Sequence, residues 1–326
     1  MILQERPNML TVCPKQPITV VLASPRGFCA GVERAINIVQ QALAKWGSPI
    51  YVRHWIVHNQ CVVESLEAQG AVFVEDLDEC PVDRPVMFSA HGVPQSVIFE
   101  AERRQITYID ATCPLVSKVH LKAKRYHRLG SHVILIGHAG HPEVIGTIGQ
   151  LPDGAISLLE NETQAKAFIK PKGSDSLALV TQTTLSVDHT ARLIRILQQR
   201  FPEIALPKNE DICYATTNRQ NVVKLIASTC DAVVVIGAQS SSNSRRLVEV
   251  AKACGCEKSL LIQRASDLDI GWLIGVRRLG LTAGASAPEH LVDQLIAVCR
   301  LHFTVTLEEV ELVREDVHFR LPSLVA

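Results

Sequence analysis

Several things that would sort this chain of 326 residues into a broad class are missing from it. It has no net charge, 33 basic residues standing against 33 acidic ones, so its balance gives no support to a nucleic-acid or anionic-membrane partner. It has no apolar run approaching the roughly 18 residues of a membrane span. Its first 17 residues include Glu5, Arg6 and Lys15 and hold no apolar stretch of signal-peptide length. These absences lead to the expectation of a cytoplasmic chain acting on a small molecule. Ten cysteines are too sparse for a disulfide scaffold, and in a reducing compartment a group of them binds metal or does catalysis. The short-range CxxC pair usual in zinc sites is also absent, since CGC at 254–256 has the wrong spacing and falls at an expected helix end. Length alone allows two or three domains.

What is present is a pattern written three times. An apolar strand, ITVVLAS, leads to Cys29, and the following AGVERAINIVQQALAKWG carries Val32, Ala35, Ile36, Val39 and Leu43 at helical spacing, with Gly47 as its stop. A second strand, over 106–109, leads to Cys113, with Pro114 suited to a first helical turn, Val116, Val119, Ala123 and Tyr126 on one face, and Gly130 as stop. Cys213 precedes a third helix bearing Val222, Leu225 and Ile226. Further strands follow each helix: VRHWIV to His58, HVILIG to His141 and AVVVIG to Ser241, at distances of 29, 28 and 28 residues from Cys29, Cys113 and Cys213. Three more, PVMF, LALV and RRLGL, end in polar turns with His91, Thr183 and Ser286.

Strands alternating with helices imply parallel sheets covered by helices, with the ligand site outside the carboxyl ends of the strands. The expected fold is therefore α/β, three similar parallel-sheet units over residues 18–112, 113–208 and 209–302 in a pseudo-threefold trefoil, with terminal extensions at 1–17 and 303–326. In that arrangement Cys29, Cys113 and Cys213 meet at the centre. A helix N-terminus lowers a thiol pKa and favours the thiolate a metal needs. Three thiolates suit zinc with an open position, or a cubane iron–sulfur cluster with one iron free of protein thiolate. The missing CxxC favours the cluster. The other seven cysteines, Cys13, Cys61, Cys80, Cys230, Cys254, Cys256 and Cys299, read as structural.

The polar residues at the same strand ends suit a compact anion. Ser241, Ser242 and Asn243 immediately precede a helix, a ready phosphate site, and His58, His91 and His141 can donate to phosphate oxygens from the other units. Glu143 lies in a Gly-rich turn, where desolvation would raise its pKa and make it a proton donor; capping the next helix is the competing role.

Nine segments, SPRGFCAGVERAI, VHNQCVVESL, FSAHGVPQ, DATCPLVSKVH, GHAGHPEVIGT, TQTTLSVD, DICYATTNRQ, SSSNSRRL and TAGASAPEHLV, run in order over residues 18–300. Together they resemble the 4-hydroxy-3-methylbut-2-enyl diphosphate reductases, iron–sulfur oxidoreductases that act last in the non-mevalonate isoprenoid route. The resemblance implies one 4Fe-4S cluster held by Cys29, Cys113 and Cys213, its fourth iron meeting the substrate hydroxyl. It implies Glu143 as catalytic acid and Thr183 as the link between acid and alcohol. His58, His91 and His141 would contact the diphosphate or the alcohol, and Ser241, Ser242, Asn243 and Ser286 would bind the diphosphate. The reaction implied is a reductive dehydration to isopentenyl and dimethylallyl diphosphate, fed by a low-potential donor such as ferredoxin or flavodoxin, with backbone amides near Thr112 and Ala215 tuning the cluster. Ser24 departs from the usual Asn before Pro-Arg-Gly-Phe. Two other readings of the residues stay open: a cluster-dependent dehydratase without net electron transfer, and a non-catalytic iron–sulfur sensor.

Overall fold

The computed structural model describes residues 15–207 and 211–325. Cys13 and most of the 1–17 extension lie outside them. The apolar run at the start forms β1 (Pro17–Ser24), and α1 (Ala30–Trp46) follows with Cys29 as N-cap and Gly47, at φ +71°, as C-cap. Next come β2 (Ile50–Arg53), α2 (Gln60–Glu67), β3 (Ala71–Val74), β4 (Val86–Phe88), α3 (Gln95–Arg103) and β5 (Tyr108–Asp110). Then follow α4 (Pro114–Arg128), β6 (Ser131–Ile136), α5 (Pro142–Ile148), β7 (Ile156–Leu159), α6 (Glu162–Ala167), β8 (Ser176–Thr181) and α7 (Val187–Arg200). The chain closes with α8 (Tyr214–Ala227), β9 (Ala232–Ile236), α9 (Ser242–Ala253), β10 (Ser259–Ile262), β11 (Arg278–Ala283), α10 (His290–His302) and β12 (Thr304–Glu311).

These strands make three sheets, ordered β3-β2-β4-β5, β7-β6-β8 and β10-β9-β11-β1-β12, and every strand pair is parallel. Helices cover both faces of a parallel sheet, so its inner strands bury their side chains on both sides. The runs SHVILI in β6 and AVVVI in β9 are buried at every residue, as continuous apolar strands should be.

The sheets share one plan but do not follow the expected chain boundaries. β1, at the head of the unit expected over 18–112, lies beside β11 in the third sheet, where it takes the place that β5 takes beside β4 in the first. In the second sheet, among the described residues, only an isolated parallel bridge, Ala178 with Ala205, stands there. Each cysteine-bearing segment thus closes the sheet of the preceding unit, and the first strand of the chain closes the last sheet. The expected extension from 303 is not an appendage either, because β12 pairs with β1 along eight residues, Pro17 with Thr304 through Ser24 with Glu311.

Local differences have local causes. The strand expected to run to His58 ends at Arg53, because His54 takes φ +58° and breaks the extended backbone. The strand expected over 106–109 is β5, Tyr108–Asp110. In α1 the fully buried face is Ala35, Ile38, Val39 and Ala42, with Ile36 and Leu43 packed at its edge. Burying Ile38 and Val39 completely is worth about 1.5–3 kcal/mol each. In α8, Leu225 is 49% exposed and Val223 is buried in its stead, since the inward residues are the pairs Val222–Val223 and Ile226–Ala227.

Candidate active site

The three cysteines are the N-cap residues of α1, α4 and α8. Each is tied by the same bond to a neighbouring polar turn: the N–H of Cys29 donates to Ala285 O (3.2 Å), that of Cys113 to Ala90 O (2.9 Å) and that of Cys213 to Thr183 O (3.0 Å). Those turns carry Ser286, His91 and Thr183, so each sulfur is locked beside one of the expected polar residues. Backbone N–H groups of the first turns reach the sulfurs, from Val32 and Gly31 to Cys29, Leu115 and Val116 to Cys113, and Thr216 to Cys213. The amide of Thr112, expected to reach a sulfur, instead donates to Asp110 Oδ1 at 2.9 Å, where an Asx-type turn claims it. Gly31 has no side chain between two of the thiols. A Cβ there would stand 2.8 Å from Cys113 Sγ and 3.8 Å from Cys29 Sγ.

The helix N-termini do not lower the thiol pKa values as expected. Burial outweighs them and pushes Cys113 up to about 12 and Cys213 up to about 11; it also raises Cys29, against the opposing pull of the Arg219 charge. Each of these thiols is neutral unless a bound cationic centre draws off its proton. Among the described residues no three His, Cys, Asp or Glu side chains converge closely enough to hold a single metal ion.

Three imidazoles face one another. His58 and His91 have ring centroids 4.1 Å apart, and His141 lies 5.3 Å from His58 and 5.8 Å from His91. Burial keeps all three neutral: it takes His58 down to about 4, with Arg245 adding repulsion, His141 down to about 3, and His91 well below the usual histidine range. His141 caps α5, its Nδ1 accepting the Glu143 N–H at 3.2 Å, which leaves its Nε2–H as a donor. The Nε2 of His58 is buried and has no hydrogen-bond partner among the described residues.

Glu143 does not cap the helix it begins. Its side chain crosses to Thr183, where Oε1 accepts the backbone N–H (2.6 Å) and Oε2 the hydroxyl (3.0 Å). Burial pushes this carboxyl up to about 7 against both hydrogen bonds. Ser241 caps α9 by accepting the Ser244 N–H at 3.3 Å, so Ser242 and Asn243 stand inside the first turn rather than ahead of the helix. Asn243 Oδ1 accepts the Ala285 N–H at 2.9 Å, and Ser286 donates its hydroxyl to His58 O at 3.1 Å.

Two participants were not anticipated. Thr216, fully buried, has its hydroxyl 3.2 Å from Cys213 Sγ and accepts from Asn243 Nδ2 at 3.3 Å. The repeat held a signal for it, because the third residue after each cysteine is Val32, Val116 and Thr216, polar only in the third copy. Gln182 joins two units, its Nε2 donating to Ser242 Oγ (3.4 Å) while its Oε1 accepts the His138 N–H (3.1 Å). No spacing rule marks such a residue.

All twelve expected site residues line one pocket enclosing about 680 Å³, its mouth included. A pocket of that size suits a small molecule. Fold and pocket together define an α/β protein of three parallel sheets that share a thiol- and imidazole-lined pocket. The LytB protein family profile matches residues 20–300. A protein of Hyphomonas neptunium named 4-hydroxy-3-methylbut-2-enyl diphosphate reductase is 60% identical over 312 residues, covering 96% of this chain and 99% of its own. One of the same name from Cereibacter sphaeroides is 58% identical over 308 residues, covering 94% and 96%. The solved structure of the E-1-hydroxy-2-methyl-but-2-enyl-4-diphosphate reductase from Plasmodium falciparum superimposes with a TM-score of 0.91 at 37% identity, over 96% of this chain and 97% of that one. A second solved structure, described as that of the (E)-4-hydroxy-3-methyl-but-2-enyl diphosphate reductase that ends the non-mevalonate pathway, gives a TM-score of 0.61 at 29% identity, over 87% and 99%. The chain belongs to the LytB protein family.

Proposed function

We propose that this protein is a 4-hydroxy-3-methylbut-2-enyl diphosphate reductase, the terminal enzyme of the non-mevalonate pathway. The reading agrees with the names its relatives carry, and one observation supports it above the rest: three N-cap thiols, three neutral imidazoles and a carboxyl of raised pKa all open into the same pocket. The overall change adds two electrons and two protons to the allylic alcohol and releases water, leaving isopentenyl or dimethylallyl diphosphate. The electrons come from a low-potential donor protein such as ferredoxin or flavodoxin, met in the cytoplasm.

Cys29, Cys113 and Cys213 would hold a 4Fe-4S cluster. The donor set fits: three thiols with first-turn amides aimed at them, and a glycine where a side chain would intrude. Such a cluster, when bound, supplies electrons singly and an iron without protein thiolate that can polarise an oxygen. The chain does the rest. The first turn of α9, with Ser241, Ser242 and Asn243, receives the diphosphate by its amides and hydroxyls, and Ser286 closes the opposite side. His58 offers a buried Nε2 without a partner among the described residues, and His141, whose Nδ1 is taken by the Glu143 N–H, offers its Nε2–H. Glu143, protonated near neutrality, turns its O–H toward the Thr183 oxygen; Thr183 then presents its own proton to the departing hydroxyl.

The test is anaerobic turnover of 4-hydroxy-3-methylbut-2-enyl diphosphate with a reduced donor, beside the optical and paramagnetic-resonance spectra of the purified protein. The expected result is donor-dependent product and an iron–sulfur spectrum that Cys113→Ser abolishes. Turnover without any donor would instead favour the electron-neutral dehydratase.

A further inference from the structure

The largest fully buried side chain among the described residues is that of Arg219, one and a half turns into α8, at 0% exposure. Burying a guanidinium is costly, and an ion pair in the interior is often no more stable than apolar residues of the same volume. Arg219 is nonetheless fully used. Its Nε and Nη2 donate to Gly27 O (3.2 and 2.8 Å), Nη2 also to Phe28 O (3.2 Å), and Nη1 to Ala215 O (3.0 Å) and to both carboxylate oxygens of Glu315 (3.1 and 3.2 Å). The two carbonyls on one side immediately precede Cys29, and the one on the other lies just after Cys213. One planar fork therefore spans the turns that carry two of the three thiols, a task its fixed geometry suits and a lysine's does not.

Glu315 comes from the segment after β12, which is fastened across α1, the helix that Cys29 caps. Arg34 Nε donates to Arg320 O (2.9 Å), Lys45 Nζ to Leu324 O (2.6 Å), and Val325 is buried in the core beneath α1. Asn218 Nδ2 also holds Glu315 Oε1, at 3.0 Å. The carboxylate is thus delivered to the far side of the guanidinium by a pinned strap, with its side chain only 14% exposed.

We propose that Arg219 is a positioning residue of the three-thiol centre and that Glu315 sets the net charge Arg219 presents there, so that the pair tunes the reduction potential of the group the thiols hold. This rests on the reading of that centre as an iron–sulfur site. A buried positive charge beside a redox group favours its reduced form, and Glu315 offsets that charge. Neutralising Glu315 therefore raises the potential.

The experiment is a redox titration of the cluster-loaded protein, followed optically and by paramagnetic resonance. Glu315→Gln keeps the shape and an acceptor oxygen; it is expected to shift the reduced-to-oxidised ratio at fixed potential roughly tenfold toward reduced, which is about 59 mV for a one-electron couple. Arg219→Lys keeps the charge and loses the fork; its potential should stay near wild type while iron passes to a chelator several-fold faster. A Glu315→Gln variant that is loaded, folded and of wild-type potential overturns the proposal, even if its melting temperature falls, because that result describes a purely structural pair. Wild-type protein that never shows an iron–sulfur spectrum defeats the functional reading instead.

Discussion

One residue, Thr183, holds both oxygens of Glu143: its backbone N–H meets Oε1 at 2.6 Å and its hydroxyl meets Oε2 at 3.0 Å, around a carboxyl with 2% exposure. The backbone bond fixes the position of the carboxyl whatever its protonation state. The hydroxyl bond can reverse direction and carry a proton outward. Glu143→Gln keeps the shape and removes the acid, so turnover should fall by a factor of about a hundred or more while substrate affinity is largely kept, the loss usual for general-acid catalysis. Steady-state kinetics beside equilibrium binding of the diphosphate check this. Unimpaired turnover would take Glu143 out of the donor role.

The raised pKa of Glu143 has a consequence for stability. Burial lifts it to about 7 from an ordinary value of 4.5, so the folded protein holds a proton that the unfolded chain has released in between. Stability from this group is full below about pH 4.5 and is lost as pH rises through 7, a difference of about 3 kcal/mol at most. Denaturant unfolding of wild type and Glu143→Gln at pH 5 and pH 8 measures it. Relative to the variant, wild type should be weaker at pH 8. An equal gap at both values would mean that the carboxyl is not protonated in the fold.

The three histidines act with the opposite sign. Their folded pKa values are depressed, to about 4 for His58 and about 3 for His141, so the unfolded chain takes up protons first as pH falls below 6.5, and stability is lost from there downward. A diphosphate in the pocket reverses their preference, because its charge favours imidazolium. Binding of inorganic pyrophosphate should therefore take up protons and tighten between pH 8 and pH 6. Calorimetry in two buffers of different ionisation enthalpy reads the uptake directly, and zero uptake would place the anion away from the histidines.

Much of this site was legible because it is repeated. Cys29, Cys113 and Cys213 each precede a helix, and the distances from them to His58, His141 and Ser241 nearly coincide, so equivalence in the chain stood for equivalence in space. Sheet membership was not legible in the same way. The run ITVVLAS reads as a strand, but nothing local says that its neighbour is β11, more than 250 residues on, because parallel pairing is set by tertiary packing. The thiol pKa values are not legible for a related reason: a helix N-terminus can be read from Pro114, while the depth at which Cys113 is buried depends on the other two units. Arg219 is the extreme case, a polar letter on a helix that no periodicity marks as the most deeply buried side chain of its size.

Thr216 offers a test of how tightly the pocket's polar wall is coupled. Its hydroxyl accepts from Asn243 Nδ2 at 3.3 Å and lies 3.2 Å from Cys213 Sγ, with the residue wholly buried. Thr216→Val has nearly the same shape and reproduces what the first two copies of the repeat carry, Val32 and Val116. It leaves the buried Asn243 amide without that partner, at a cost of about 1–3 kcal/mol. Asn243 also holds the Ala285 N–H, so the loss should spread to the turn that carries Ser286 and weaken diphosphate binding several-fold, while the iron content is kept because Cys213 retains its backbone donor. Unfolding by denaturant, pyrophosphate titration and iron analysis of the one variant separate these effects. If iron is lost and anion affinity is not, the hydroxyl serves the sulfur rather than the anion wall.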